Sequence, residues 1–151
     1  MNNQEVFIGR NQSAIAKIPL LAAIVALMGL ADSIYLTVHH YTAEPVPCSI
    51  VSGCEQVLTS AYAEMYGIPT AAFGVGAYLL AFVLAVLAAF GKRQMWTLFG
   101  ATVFVMAIFT GYLIYLQAYV IEAFCQFCLI SAATTFTLLI VFLISQFVRS
   151  K

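Results

Sequence analysis

Cysteines are the residues here whose number and spacing point most directly to chemistry. There are four in 151 residues: Cys48 and Cys54, six positions apart, and Cys125 and Cys128 in Cys-Gln-Phe-Cys. Residues three apart share a helical face, within reach of a disulfide. Because Cys125 opens an apolar stretch, the positive end of a helix dipole acts on it first. That favours its thiolate, the attacking species in disulfide exchange. Cys128, one turn deeper, is placed to meet a lipid-soluble reactant. In the other pair, Cys48 ends the run Glu44-Pro45-Val46-Pro47, whose prolines hold the chain extended and exposed. Cys54 follows Gly53 and begins the apolar-periodic series Val57, Leu58, Ala61, Tyr62 and Met65. That series predicts a short helix near residues 54–66, surface-lying or re-entrant, with Cys48 facing water and Cys54 facing the membrane. Two structural disulfides are the plainer reading, but a Cys-x-x-Cys bridge closes too small a loop to remove much unfolded-state entropy. A zinc site with His39 or His40 would need an unusual ligand spacing, and no metal is expected.

The elements that must position these sulfurs are membrane helices. The chain is 64% hydrophobic and 8% charged, against about 25% charged in a soluble domain. Its net charge of zero gives no basic patch for nucleic acid. Apolar stretches over about residues 18–41, 71–90, 95–119 and 125–148 each approach the ~20 residues that span ~30 Å of hydrocarbon. They lack the period-2 pattern of membrane strands. The expected fold is an all-α, single-domain, integral membrane four-helix bundle. Pro19 is expected in the first turn of the first helix. Gly91 closes the second helix, and the short link Lys92-Arg93-Gln94 makes the second and third helices antiparallel neighbours.

Arg10, Lys17, Lys92, Arg93, Arg149 and Lys151 all fall on one side of this layout, whereas Glu44, Glu55, Glu64 and Glu122 lie in the loops of the other. The positive-inside rule then puts both termini in the cytoplasm and every cysteine on the outer face, where disulfides persist. A cleaved signal ending near Gly29 and Ala31 is the rival reading. Its apolar run, continuing to Tyr41, is too long, and its removal would spoil the charge pattern.

Cys48 and Cys54, Ser60 six residues after Cys54, the Cys-x-x-Cys at 125–128, and Gly-Ile-Pro-Thr-Ala-Ala-Phe-Gly entering the second helix together resemble the vitamin K epoxide reductase family, its bacterial and archaeal members in particular. The resemblance covers about residues 18–148. It implies a membrane oxidoreductase of the plasma (inner) membrane that makes disulfides in exported proteins. A thioredoxin-fold partner would deliver electrons to Cys48, Cys54 would shuttle them to Cys125, and the Cys125–Cys128 pair would reduce a quinone of ubiquinone or menaquinone type next to Cys128. With the chain ending at Lys151, the partner is expected to be a separate polypeptide. Vertebrate members carry Thr-Tyr-Ala where this chain has Ser131, Ala132 and Ala133, which argues against vitamin K epoxide as substrate. A quinone or quinone-epoxide reductase using the same relay, and a non-enzymatic scaffold with stable bridges, stand as alternatives.

Ser60 is expected to donate a hydrogen bond to the site; otherwise it caps a turn. Asp32, ionisable inside a span and costly there unless paired, either orients or protonates the quinone or bonds a neighbouring helix. Phe73, Tyr112, Tyr115 and Phe124 are candidate walls of the quinone pocket, since such pockets combine aromatic faces with a few polar groups. Tyrosines at helix ends also serve as interface anchors. The single tryptophan, Trp96, is expected at the inner end of the third helix, away from the quinone.

Overall fold

The computed structural model describes the backbone of residues 3–150 and side chains from residue 17 to 150. Helices α1 (Asn3–Thr42), α3 (Thr70–Ala89), α4 (Arg93–Tyr119) and α5 (Gln126–Ser150) contain the four segments long and apolar enough to cross a membrane. Short α2 (Cys54–Leu58) and the strands β1 (Glu64–Met65) and β2 (Ile68–Pro69) lie in the connection between α1 and α3. The long helices form a ring in which α1 packs on α3 and α5, and α4 packs on α3 and α5.

Small residues allow this packing. Along α1, Ala22, Ala26, Ser33 and Leu36 are buried on one seam, and α3 answers with Tyr78, Ala81 and Ala85. Where lipid supplies no hydrophobic drive between helices, close backbone approach at such residues holds them together. Outside, Leu20, Leu27, Val105, Ile108, Ile140 and Ile144 are half exposed, an apolar coat that only a hydrocarbon solvent would accommodate. Trp96, Phe99, Val103 and Leu138 belong to the larger core. Cys54, Val57, Ala123 and Cys125 form a second, smaller one at the opposite end.

Three local expectations are corrected. Pro19 lies inside α1, because the polar segment before it is helical too; the interior proline costs the helix one backbone hydrogen bond. The helix expected over residues 54–66 stops at Leu58. There the Thr59 hydroxyl donates to the Glu55 carbonyl and the Ser60 hydroxyl to that of Val57, local bonds that compete with further helix. Residues 64–69 then form a two-residue hairpin, Glu64 opposite Pro69, turning at Tyr66 and Gly67 with φ of 55° and 77°. Both central residues have positive φ, as tight hairpin turns demand. The fourth helix starts at Gln126, leaving Cys125 as the residue before it.

Lys92, Arg93 and Arg149 stand at or beside the ends of α3, α4 and α5 that lie away from the cysteines, and Lys17, within α1, opens its membrane-spanning part on the same side. The Arg10 side chain and Lys151 fall outside the described residues.

Candidate functional site

Cys48 and Cys54 are joined in a disulfide, with 6.2 Å between their Cα atoms. Cys54 and Cys125 are buried in one cluster, and Cys48 and Cys128, both half buried, pack against it. Thus the two pairs, more than 70 positions apart in the chain, share one end of the bundle.

Backbone detail brings them together. Gly53 sits against the segment leading into α5: a Cβ there would meet the Phe124 carbonyl oxygen at 2.8 Å and the Ala123 Cβ at 3.0 Å. Any other residue would push Cys54 away from Cys125. From the opposite side Gln126, inside the Cys-x-x-Cys, accepts the backbone N–H groups of Ser49 and Ile50 at 3.2 and 3.0 Å. Its side chain thereby tethers the loop just after Cys48 to the start of α5. The link from α4 folds back through Glu122, at φ 55°, with the Ala123 N–H donating to the Gln117 carbonyl at 3.1 Å. Gln117, itself buried, accepts the Cys125 N–H on its side-chain oxygen at 3.1 Å. That bond fixes which way the amide points, so its NH2 remains a free donor type.

The Cys125 carbonyl accepts the Leu129 N–H at 3.0 Å, the first turn of α5. The Cys125 thiol is lowered to about 7, first by the hydrogen bond from the Cys128 thiol, against burial, and then by the backbone N–H groups of Cys128 and Phe127; the Asp32 carboxylate opposes it. Cys125 is therefore about half thiolate near neutral pH, more above and less below. Cys125 and Cys128 are the free thiols, so the ultraviolet thiolate absorbance of this redox form reports on them alone. It should rise with a midpoint near pH 7, and Cys128→Ala should move that midpoint upward by removing the leading hydrogen bond. A midpoint that stays put in the variant would reject this account of the thiolate.

Cys128 lines a cavity of about 340 Å³ between the helices, open to the outside of the bundle where Phe73 and Val105 are 46% and 66% exposed. Phe73, Val105, Phe109 and Leu113 form apolar wall, and Ser33, Thr70, Tyr78, Gln117, Ser131 and Thr135 are its polar members. The Tyr78 hydroxyl lies 2.7 Å from the Ser131 carbonyl, 3.0 Å from its hydroxyl and 2.8 Å from that of Thr135, which pins α3 to α5 beside Cys128. An apolar room of this size with a few directed polar groups suits a flat, greasy ligand.

Of the residues expected at such a pocket, Phe73 lines it. Tyr112 and Tyr115 are 53% and 56% exposed and do not line the cavity, although the Tyr112 ring lies beside that of Phe109, with centres 6.5 Å apart. Phe124 is 39% exposed at the outer surface, before α5 begins. Ser60 closes a turn on Val57 and lines a separate groove beside Glu55 and Glu64. Asp32 does not line the cavity, yet its Oδ2 is buried without a hydrogen-bond partner among the described residues. His40 reaches the Glu64 carboxylate at 2.9 Å and His39 lies 3.4 Å from the Glu44 carbonyl. Both bind the end of α1 to the loop. Tyr35 packs on Phe127 with ring centres 5.2 Å apart.

Gln117, Gln126 and Tyr78 are residues of the site that no sequence motif marks. A carboxamide in an apolar span needs a partner, and that signal was available for Gln117. Nothing singles out Tyr78 among eight tyrosines. Residues 20–143 match the family model described as Vitamin K epoxide reductase family.

Proposed function

Because the chain belongs to the vitamin K epoxide reductase family, we propose that it is a disulfide-generating oxidoreductase that passes electrons from a thiol partner to a quinone. At the coarser level the family makes it a membrane thiol–disulfide oxidoreductase related to quinone and vitamin K epoxide reduction. The observation that carries the finer reading is the placement of Cys54 and Cys125 in one buried cluster, with Cys128 opening onto the cavity.

The reaction balances through exchange steps. A partner thiolate attacks Cys48, the more exposed sulfur of the loop disulfide, and Cys54 leaves as thiolate. The partner's second thiol displaces Cys48, which releases the partner oxidised and the loop pair reduced. Cys54 then attacks the Cys125–Cys128 disulfide at Cys125. Cys48 resolves that bond, so the loop pair is reoxidised and the inner pair holds two electrons and two protons. A bound quinone supplies the acceptor for both. Gln126 holds the loop over α5 while sulfurs exchange, and the low-lying Cys125 thiol keeps its sulfur reactive at neutral pH. Ser33, Thr70 and the Gln117 NH2 offer polar contacts for the acceptor's oxygens. Asp32 is a positioning or proton-holding group near the inner pair rather than a wall of the pocket.

A separate thioredoxin-fold protein outside the cell is the partner this scheme requires. The basic end then faces the cytoplasm and the cysteine end the exterior of a prokaryotic plasma membrane, in one domain. Purified protein with a reduced thioredoxin-fold partner and a ubiquinone or menaquinone analogue tests the scheme. Quinone should be consumed in equal amount to the partner disulfide formed. Partner oxidation without quinone consumption under anaerobic conditions would overturn it.

A further inference from the structure

At the basic end lies a second cavity, of about 380 Å³, between the ends of all four spanning helices. Arg93 from α4 and Arg149 from α5 both line it, with Ile18, Ala88 and Val148 as apolar wall. Its other polar groups are already engaged. The Trp96 indole N–H donates to the Ser145 hydroxyl at 2.9 Å, which itself donates to the Phe142 carbonyl at 2.6 Å. Among the described residues the guanidinium groups have no such partner. Among the described residues the one ion pair is His40 with Glu64, at the far end of the bundle. Two cations therefore share a cleft with hydrocarbon walls, and among the described residues no acidic side chain pairs with them. We propose that this cleft binds the phosphate head of an anionic phospholipid, bridged by Arg93 and Arg149, with its chains leaving along the apolar wall.

The chemistry favours this occupant. Guanidinium groups bind phosphate oxygens in pairs of parallel hydrogen bonds. Basic pockets between membrane helices are suited to acidic lipid heads, and each cation near an anionic membrane surface adds to the attraction. A free phosphate would satisfy the arginines but leave Ile18, Ala88 and Val148 uncovered. The site is independent of the redox reading, since no cysteine contributes to it.

Trp96 lines the cleft and is the sole tryptophan, so the protein carries its own reporter. In phosphatidylcholine vesicles, the test replaces a rising fraction of lipid with phosphatidylglycerol or phosphatidylcholine whose chains carry bromine, a short-range quencher. Brominated phosphatidylglycerol should quench Trp96 at several-fold lower mole fraction, about fivefold for each arginine engaged. Arg93→Gln with Arg149→Gln should bring the two lipids to parity, while Arg93→Lys with Arg149→Lys keeps part of the preference. Millimolar inorganic phosphate should leave the preference intact; its loss there would assign the site to free phosphate and overturn the lipid. Equal quenching by both lipids in the unmodified protein would also overturn it. So would a preference that survives in either single glutamine variant and in the double variant.

Discussion

Replacing Cys128 with serine should stop quinone reduction, a loss of at least about 10³-fold in turnover, and should let the Cys125 thiolate attack Cys54 of the loop disulfide, joining the two in a detectable fraction of the protein while Cys48 leaves as a thiol. A hydroxyl of nearly the same volume preserves the packing against the cysteine cluster but forms no sulfur–sulfur bond. Cys125 can still exchange with Cys54, its neighbour in that cluster. Without Cys128 to complete the inner pair, electrons have no path to the cavity that Cys128 lines. Anaerobic quinone consumption measures the loss, and peptide mapping without reductant identifies the Cys54–Cys125 link. Turnover within tenfold of the unmodified protein would exclude Cys128 as the electron donor. Loss of turnover with no link, even after rapid acid quenching and thiol alkylation to stop Cys48 from closing the loop again, would mean that the two pairs do not exchange.

How far this site was legible in the sequence differs from part to part. The four spanning helices follow from long apolar runs, which have one structural solution in lipid, and their order around the ring follows from short links such as Lys92-Arg93-Gln94. The loop was harder. Val57, Leu58, Ala61, Tyr62 and Met65 carry helical periodicity, but the hydroxyls of Thr59 and Ser60 close on carbonyls one turn back. The chain then turns through Tyr66 and Gly67, so local hydrogen bonding overrides the apolar pattern. Pocket walls were the least legible. Tyr112, Tyr115 and Phe124 carry the right chemistry, but rotation of α4 and the start of α5 at Gln126 aim them outward. Which face of a uniformly apolar helix turns inward is set by small residues on its neighbours, such as the Ala22, Ala26 and Ser33 seam of α1. Periodicity within one helix carries little of that information. Gln126 acts across 76 or more positions, a pairing that no local pattern encodes.

Cys48 and Cys54 differ in exposure, and that difference predicts which of them meets the partner. Cys54 is 1% exposed and walled by Val57 and Ala123, so a second protein has no approach to its sulfur. Cys48, half buried on the loop after Pro47, is reachable. In Cys54→Ala, Cys48 is a free thiol with nothing in the loop to displace a protein bound to it. A thioredoxin-fold partner reduced to one active cysteine, and activated as a mixed disulfide with a small thiol, should transfer onto Cys48. The small thiol leaves and a stable intermolecular disulfide remains. In Cys48→Ala the corresponding adduct on Cys54 should form at least about tenfold more slowly, because access limits exchange. Adducts resolved on non-reducing gels distinguish three cases. Preferential capture by Cys48 supports a relay running from the loop inward. Equal capture by Cys54 would mean that the loop opens fully and that its buried sulfur is itself a docking point. No capture by either variant, with the Cys48–Cys54 bond of the unmodified protein resisting the same partner, would identify the loop disulfide as a structural bridge and leave the inner pair without a supply of electrons.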